Sequence, residues 1–239
     1  MVRIHPDRER IVILTGAGIS AGSGLSTFRG SNGIWNNESI EDVATPGGFS
    51  RNPPRVWEFY NRRRAELPAA RPNPAHFALA ELQKLKPDHV MLITQNVDDL
   101  HEKAGSDPVY HMHGELCKVR CLDCRAVYSD DSPLDAAPRC FHCNGILRPH
   151  IVWFGEIPFF LDEIERALLQ CDWFISVGTS GHVHPAARFL NVAKSSGANT
   201  VVVNPDPAAD ESDIDYFVQE KAEEALPLLI DEWCGTAKN

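Results

Sequence analysis

The sequence predicts an α/β protein built on a doubly wound parallel sheet, with a smaller domain made of a helical module and a four-cysteine zinc ribbon. Two observations carry the sheet: four apolar runs each end in a short polar tail, and helical stretches lie between them. A third sets the smaller domain apart, two cysteine pairs in a stretch without long periodicity.

The first run, "RIVILTGAGIS" (10–20), reads as a buried strand entering a glycine turn. "HVMLITQNVDDLH" (89–101), "WFISVGTS" (173–180) and "TVVVNPDP" (200–207) repeat the theme. Their apolar residues are continuous rather than alternating, as in strands covered on both faces. "NPAHFALAELQKL" (73–85) reads as a helix with apolar residues at Phe77, Leu79, Ala80, Leu82 and Leu85. "FLDEIERALLQ" (160–170) and "PAARFLNVAKSSG" (185–197) follow the same period, the latter with proline near its start and glycine at its end. Two segments break the alternation. One opens with the Gly/Ser/Asn-rich "FRGSNGIWNN" and continues into a helix carrying "EFYNRRRAELP" (58–68); the other is 115–148. The expected Rossmann-like core comprises residues 1–29, 71–114 and 149–239. The expected small domain comprises 30–70 and 115–148.

With 43% hydrophobic and 23% charged residues among 239, the chain suits a packed soluble globule. Lys plus Arg is 23 against 33 for Asp plus Glu, a net charge of -10, which argues against a general nucleic-acid binder. "MVRIHPDRER" has no apolar signal-peptide core, and no run approaches the roughly 18 apolar residues of a membrane span. A cytoplasmic monomer without a membrane partner is expected. Its seven cysteines are then reduced, serving as metal ligands or core residues.

In an open parallel sheet, ligands bind beyond the carboxyl ends of the strands, so the four polar tails should converge on one crevice. Gly16, Gly18 and Ala21 fit the dinucleotide pattern G-x-G-x-x-G/A directly after a strand. Glycine lets the backbone approach a pyrophosphate, and the helix start favours negative charge. A tight strand-to-helix turn needs glycines regardless of ligand. The acid expected about 20 residues on has no counterpart, so this is not a standard dehydrogenase half. Cys121-x2-Cys124 and Cys140-x2-Cys143, 15 residues apart, match a zinc ribbon. Four thiolates close the coordination sphere, which makes the metal structural. Cys117, Cys171 and Cys234 stand outside the pattern as packing residues. In "HMHGE" (111–115), spacing does not choose between His111 and His113. On the arginine helix, Tyr60 shares a face with Arg63 and Arg64 but not with Arg62, and spacing leaves the first two tied.

These residues together resemble the sirtuin family of NAD-dependent protein-lysine deacylases. "GAGIS…FRG" (16–30), "TQNVDDLH" (94–101), "HG" (113–114), the two CxxC pairs, "VWFGE" (152–156), "GTS" (178–180) and "NPD" (204–206) occur in the family's order, over about residues 10 to 230. In "GLSTFRG" the chain departs from the Ile-Pro that commonly precedes x-FRG in the family's cofactor loop. The resemblance implies NAD and one structural zinc. It implies that Gly16, Ala17, Gly18, Ile19, Phe28 and Arg29 line the NAD pocket. Gln95, Asn96 and Asp98 would hold the nicotinamide ribose and carboxamide, and Asn96 would be a catalytic residue together with His113. Gly178, Thr179, Ser180, Asn204 and Asp206 would hold phosphates and the adenosine side. His113 would be the general base, a role that suits an imidazole near neutral pH. Val152, Phe154, Gly155 and Glu156 would pair with the backbone of an acyl-lysine substrate protein as an added strand.

In the implied reaction the acyl carbonyl oxygen attacks the nicotinamide ribose, nicotinamide leaves, and acyl-ADP-ribose and free lysine are released. Tyr60-x-x-Arg63 looks like the signature of the class III branch, which removes succinyl and malonyl groups, and breaks the tie in favour of Arg63. Ala44, in "EDVATP" (41–46), falls where that branch keeps a small residue. A guanidinium grips a carboxylate with two parallel hydrogen bonds, and a phenol adds a third. Two other functions compete: ADP-ribosyl transfer to a protein side chain, and a non-catalytic NAD-binding adaptor. His113, Asn96 and Asp98 together count against the adaptor.

Overall fold

A computed structural model describes Ile4, Gly33 and residues 8–27, 38–130, 138–181, 183–207 and 212–234. In chain order its elements are β1 (Ile11–Thr15), α1 (Ala17–Ala21), α2 (Ile40–Val43), α3 (Pro46–Arg51), α4 (Pro53–Glu66), α5 (Pro74–Leu85), β2 (Val90–Thr94), α6 (Leu100–Ala104), β3 (Val109–His111), β4 (Gly114–Cys121), β5 (Val127–Ser129), β6 (Leu147–Ile151), α7 (Leu161–Leu168), β7 (Trp173–Val177), α8 (Phe189–Ser195), β8 (Asn199–Val203), β9 (Tyr216–Val218) and α9 (Ala222–Cys234). Phe28, Arg29 and most of the Gly/Ser/Asn-rich loop lie outside the described residues.

Six strands form one parallel sheet in the order β3-β2-β1-β7-β8-β9. Every residue of β1 and β7 is buried, as their unbroken apolar runs require. Successive side chains alternate between two cores. Ile11, Ile13, Leu92, Ile175 and Val201 pack with Leu79 and Leu82 of α5 and with Leu226, Ile230 and Trp233 of α9. Val12, Leu14, Ile93 and Phe174 pack with Ile164 and Leu168 of α7 and with Phe189 and Ala193 of α8. From β1 the chain steps outward through β2 and β3, and from β7 outward the other way. The order reverses between β1 and β7, and the crevice at their carboxyl ends is where such a sheet binds ligands. The edge strands β3 and β9, three residues each, are too short to leave a periodic signal in the sequence.

Three helices start on the same device. Thr45, Asn52 and Asn73 cap α3, α4 and α5, accepting from Gly48 N (2.9 Å), Arg55 N (3.2 Å) and Ala75 N (3.0 Å), each with a proline next in line. On α5 the buried face differs from the expected one. Phe77 and Leu85 are 52% and 47% exposed, and Ala75, Ala78, Leu79, Ala80 and Leu82 form the core side. Phe77 and Leu85 fall roughly 160° and 240° round the helix from Leu79, so they point away from the sheet.

A second, antiparallel sheet has the order β5-β4-β6. The eight-residue β4 has no counterpart in the sequence reading. Its register shifts between Gly114 and Val119, and a bulge of that kind breaks the alternation that betrays a strand. Val43, Phe49, Trp57 and Phe59 from α2–α4 share one apolar cluster with Leu116, Val119, Leu147 and Ile151 from this sheet. The two segments that interrupt the α/β alternation therefore fold against each other. Among the described residues, no helix is long and apolar enough to cross a membrane.

The three arginines of α4 have separate environments. Arg62 is exposed and pairs with Glu38 at 2.5 Å. Arg64 is buried, its Nε donating to Leu116 O at 2.6 Å and its Nη2 reaching Lys118 O at 3.5 Å. It joins α4 to β4, while Arg63 faces the crevice. We expect Arg64→Met to cost about 2–3 kcal/mol, because it leaves a buried carbonyl without its donor. Arg62→Met should cost less than about 0.5 kcal/mol, the usual scale for an exposed pair. Urea unfolding of both variants checks the contrast, and equal losses would contradict it.

Candidate active site

A cavity of about 610 Å³ opens at the carboxyl ends of the parallel strands and runs to the small sheet. Its floor is made where two turns meet backbone to backbone. Gly16 N donates to Val177 O at 3.0 Å, and Gly18 N to Gly178 O at 2.9 Å. A methyl group on Gly16 or Gly18 would sit 2.7 Å or 2.6 Å from Gly178 backbone atoms. Gly178 has φ +60, and a side chain there would meet Ile19 N at 2.5 Å. Asn204 extends the floor, donating from Nδ2 to Thr179 O at 2.9 Å and accepting from Asp206 N at 3.2 Å. Gly16, Ala17, Gly18, Gly178, Thr179, Ser180, Asn204 and Asp206 all line the cavity. Ile19 does not; its side chain is fully buried in the core beneath. Phe28 and Arg29 lie outside the described residues, whereas Thr27 reaches the wall.

The tail of β2 forms the second wall. Asn96 is buried, and its Nδ2 donates to Gly16 O and Ser20 Oγ, both at 3.1 Å. Ser20 Oγ donates in turn to Asp98 Oδ2 at 3.1 Å. Burial raises the Asp98 pKa, with the Leu100 N–H and Ser20 hydroxyl acting the other way. Gln95 and Asn96 line the main cavity; Asp98 lines a small adjoining recess with Ser20 and Arg63.

The two histidines, equivalent by spacing, are not equivalent in space. His111 Nδ1 donates to Asn96 O at 3.0 Å, and its Nε2 lies 2.6 Å from Glu102 Oε1. Burial opposes its protonation, but the Glu102 hydrogen bond and charge outweigh it and raise the pKa. His113 lines the cavity, and its Nδ1 meets Gln95 O at 3.2 Å. A carbonyl accepts only from a donor, so the proton sits on Nδ1 and Nε2 keeps a free lone pair. Burial lowers the His113 pKa to about 4, against the Gln95 hydrogen bond, and the ring is neutral at pH 7. Gly114, next in line, has φ +83, and a Cβ there would lie 2.0 Å from His150 O. Only glycine lets β4 leave the histidine and lie against β6.

The far end of the cavity is the apolar mouth of the small sheet, lined by Ala44, Phe59, Tyr60, Arg63, Val152, Trp153, Phe154, Gly155 and Glu156 among others. Tyr60 is 5% exposed, and its oxygen accepts from Trp153 Nε1 at 3.0 Å. The Arg63 side chain is 12% exposed and pairs with Glu66 at 3.6 Å. Burial lowers its pKa while Glu66 and Asp98 favour the charge, and an arginine stays protonated under such a shift. Along 152–156, the N–H groups of Val152, Trp153, Phe154 and Glu156 bond to His113 O, Glu156 Oε2, Ala44 O and Trp153 O. The Glu156 carboxylate also accepts from Arg148 and Arg120.

On the small sheet, Cys121, Cys124, Cys140 and Cys143 bring their four sulfurs within 4.8 Å of one another. Two of the separations are 3.5 and 3.7 Å. Tetrahedral zinc with bonds near 2.3 Å spaces its sulfurs by about 3.8 Å, so the donor set and its geometry fit one structural zinc. Two similar knuckles build it: Cys121 N donates to Ala126 O and Cys140 N to Gly145 O, both at 2.9 Å. The residue after each second cysteine, Arg125 or Asn144, has positive φ.

The description "Sir2 family" matches residues 16–185, most of the chain. The chain is a member of the Sir2 family. An NAD-dependent protein deacylase of Pasteurella multocida (strain Pm70) is 51% identical, over 94% of this chain and 97% of the relative. One from Caulobacter vibrioides is 49% identical, over 93% and 95%. Among solved structures, a serine-to-alanine variant of a Sir2 homologue in complex with ADP-ribose aligns with TM-score 0.91 and 39% identity, over 98% of this chain and 96% of that one. A Sir2 homologue–NAD complex aligns with TM-score 0.88 and 39% identity, over 98% and 93%. The bare glycine floor and the buried Asn96–Ser20–Asp98 chain fit NAD in this Sir2 chain too.

Sequence reasoning missed three contributors. Ser20, which ties Asn96 to Asp98, stood inside the quoted "GAGIS" and needed only a partner to be recognised. Trp153 stood inside "VWFGE". The start of α9, where Lys221, Ala222 and Glu223 line the cavity, lies some 200 residues from the glycine turn and carries no local signal.

Burial lowers the pKa values of His76, His113 and His150 to about 4 and also lowers that of His101. His111 and Asp98 shift upward. Glu156 is lowered too: burial acts the other way, but the Arg148 hydrogen bonds and charge outweigh it. With these five lowered groups against two raised ones, the unfolded Sir2 chain binds more protons than the folded one between pH 6.5 and 4. Stability should therefore fall as pH drops through that window, and urea midpoints at pH 7 and pH 5 test it. A midpoint that rises toward pH 5 would mean that these rings are not buried neutral.

Proposed function

We propose that this Sir2-family chain is an NAD-dependent protein-lysine deacylase that removes acetyl groups and the acidic succinyl and malonyl groups from other proteins. One observation carries the acidic preference: Tyr60 and Arg63 stand in the wall of the same cavity as His113 and the glycine floor. A lysine side chain entering from the small-sheet mouth brings its acyl terminus to a buried cation and a phenol.

NAD, when bound, supplies an electrophilic ribose carbon with nicotinamide as leaving group. The chain's own residues position and protect that chemistry. The glycine turns admit phosphates to backbone N–H groups. Asn96 and Asp98, joined through Ser20, hold the nicotinamide half. His113 Nε2 accepts a proton, and its Nδ1–H, committed to Gln95 O, keeps the ring turned that way. Arg63 takes the acyl carboxylate and Tyr60 adds a third donor. Ala44, at the end of α2, leaves room for the longer acyl chain. Because four N–H groups of 152–156 are engaged inside the chain, a substrate strand laid here is held by the carbonyl oxygens and by Gly155 N–H.

The reduced thiolates that a four-cysteine zinc site needs support residence in a reducing compartment such as the cytoplasm. A net charge of -10 fits the absence of nucleic-acid partners.

The deciding assay incubates the protein with NAD and matched acetyl- and succinyl-lysine peptides and weighs the products. Faster loss of succinyl with succinyl-ADP-ribose is expected. Faster loss of acetyl refutes the acidic preference, and NAD cleavage with neither peptide changed points to ADP-ribosyl transfer. Arg63→Met should lower kcat/KM for succinyl peptide by about 1.5–3 kcal/mol, chiefly through KM, and for acetyl peptide far less. An equal loss on both would make Arg63 a structural residue. His113→Ala should abolish turnover while zinc content and thermal unfolding stay at wild-type values; residual turnover near wild type would remove His113 as the base.

A further inference from the structure

Trp153 lies at the centre of a polar and aromatic stack that no proposed catalytic step uses. Glu156 fixes its backbone, accepting Trp153 N at 2.8 Å. The same carboxylate takes two hydrogen bonds from Arg148, at 2.6 and 2.9 Å, and one from Arg120 at 3.0 Å. Arg148, 3% exposed, is held further by Ile151 O at 2.7 Å. Its guanidinium carbon lies 3.3 Å from the indole centroid of Trp153, with the Phe49 ring at 5.2 Å. Such a cation over an indole face fixes the ring plane. The ring is 2% exposed, and its Nε1–H donates to the Tyr60 oxygen.

A phenol oxygen has one hydrogen to give and a limited capacity to accept. In Tyr60 the accepting side is taken by Trp153. Its own O–H has no acceptor among the described residues, and it borders the cavity. Burial pushes the Tyr60 pKa upward, so the group stays a proton donor.

We infer that Trp153 is a positioning residue for acyl-chain recognition: its indole N–H occupies the Tyr60 oxygen and leaves the Tyr60 hydroxyl to donate toward an acyl carboxylate in the cavity. This rests on the acidic-acyl reading of Tyr60 and Arg63 and adds a specificity determinant outside that pair. The Arg148–Glu156 pair within and beside "VWFGE" then serves the acyl end of the substrate by holding the indole still.

The test is a double-mutant cycle read as the ratio of succinyl to acetyl kcat/KM, in which any effect common to both peptides cancels. Trp153→Phe keeps a ring under Arg148 and removes the N–H. It should lower the ratio about five- to tenfold, the scale of one neutral hydrogen bond. In a Tyr60→Phe background the same change should leave the ratio where Tyr60→Phe alone puts it. A merely structural Trp153 would not show that dependence on Tyr60. An unchanged ratio in Trp153→Phe, or an equal fall with and without the Tyr60 hydroxyl, overturns the inference. If Trp153→Phe does not unfold cooperatively, Arg148→Lys takes its place. It keeps the charge beside Glu156 and gives up the flat face on the indole, and an unchanged ratio there overturns the inference equally. Wild-type protein separates the two levels. If it favours succinyl but the variants leave its ratio untouched, Trp153 alone is dismissed; if it does not favour succinyl, the acyl-pocket reading falls and takes this inference with it.

Discussion

The contact between the Gly16–Gly18 turn and the Gly178 turn is the constraint on which the site depends. It occurs where the strand order reverses, so the two halves of the sheet are joined at their carboxyl ends by backbone alone. A side chain at Gly16, Gly18 or Gly178 would put its Cβ 2.7, 2.6 or 2.5 Å from the backbone of the facing turn, so the turns would have to part. Because they do not, a smooth floor of backbone lies open to a phosphate-bearing ligand. Gly16 also fixes Asn96 through its carbonyl, and Asn96 fixes Ser20 and Asp98. The wall at the tail of β2 is in this sense an extension of the glycine floor.

The second wall is built by carbonyls and imidazoles. The carbonyls of Gln95 and Asn96 each receive one histidine, His113 and His111. One ring is anchored by Glu102 and holds the loop; the other has its second nitrogen at the cavity. Two residues of identical chemistry, separated only by Met112, thus acquire opposite protonation behaviour. One gains a carboxylate and the other only burial. The strand ending at His111 and the turn at Gly114 decide which is which.

The small sheet closes the far end of this cavity. Arg64 and the apolar cluster attach α4 to β4, which brings Tyr60 and Arg63 to the mouth. The cysteine knuckles fold the outer part of the same sheet, where apolar residues are few and many are exposed. The position of Tyr60 and Arg63 in the cavity wall is therefore supported by residues, Arg64 among them, that do not themselves line the cavity.

Much of this was legible in the chain itself. Unbroken apolar runs mark the central strands because burial on both faces leaves no place for a polar residue. Apolar residues at helical spacing mark α5, α7 and α8 because each helix must cover one face. The cysteine spacing marks the metal because four thiolates at that separation have few other uses. Local physics ends at distance. The bulge in β4 hid a long strand, two edge strands were too short to show a period, and Phe77 and Leu85 faced outward from a helix whose phase is set by α9. Above all, spacing could not rank His113 over His111 or Arg63 over Arg64. Each pair shares its residue type and immediate surroundings, and what separates its members is the element packed against them: Gln95 and Glu102 for the histidines, Leu116 and the open cavity for the arginines. Strand runs and cysteine spacing are local and can be read along the chain, whereas the choice of which side chain of each pair lines the cavity rests on partners far away in sequence and waits for the fold.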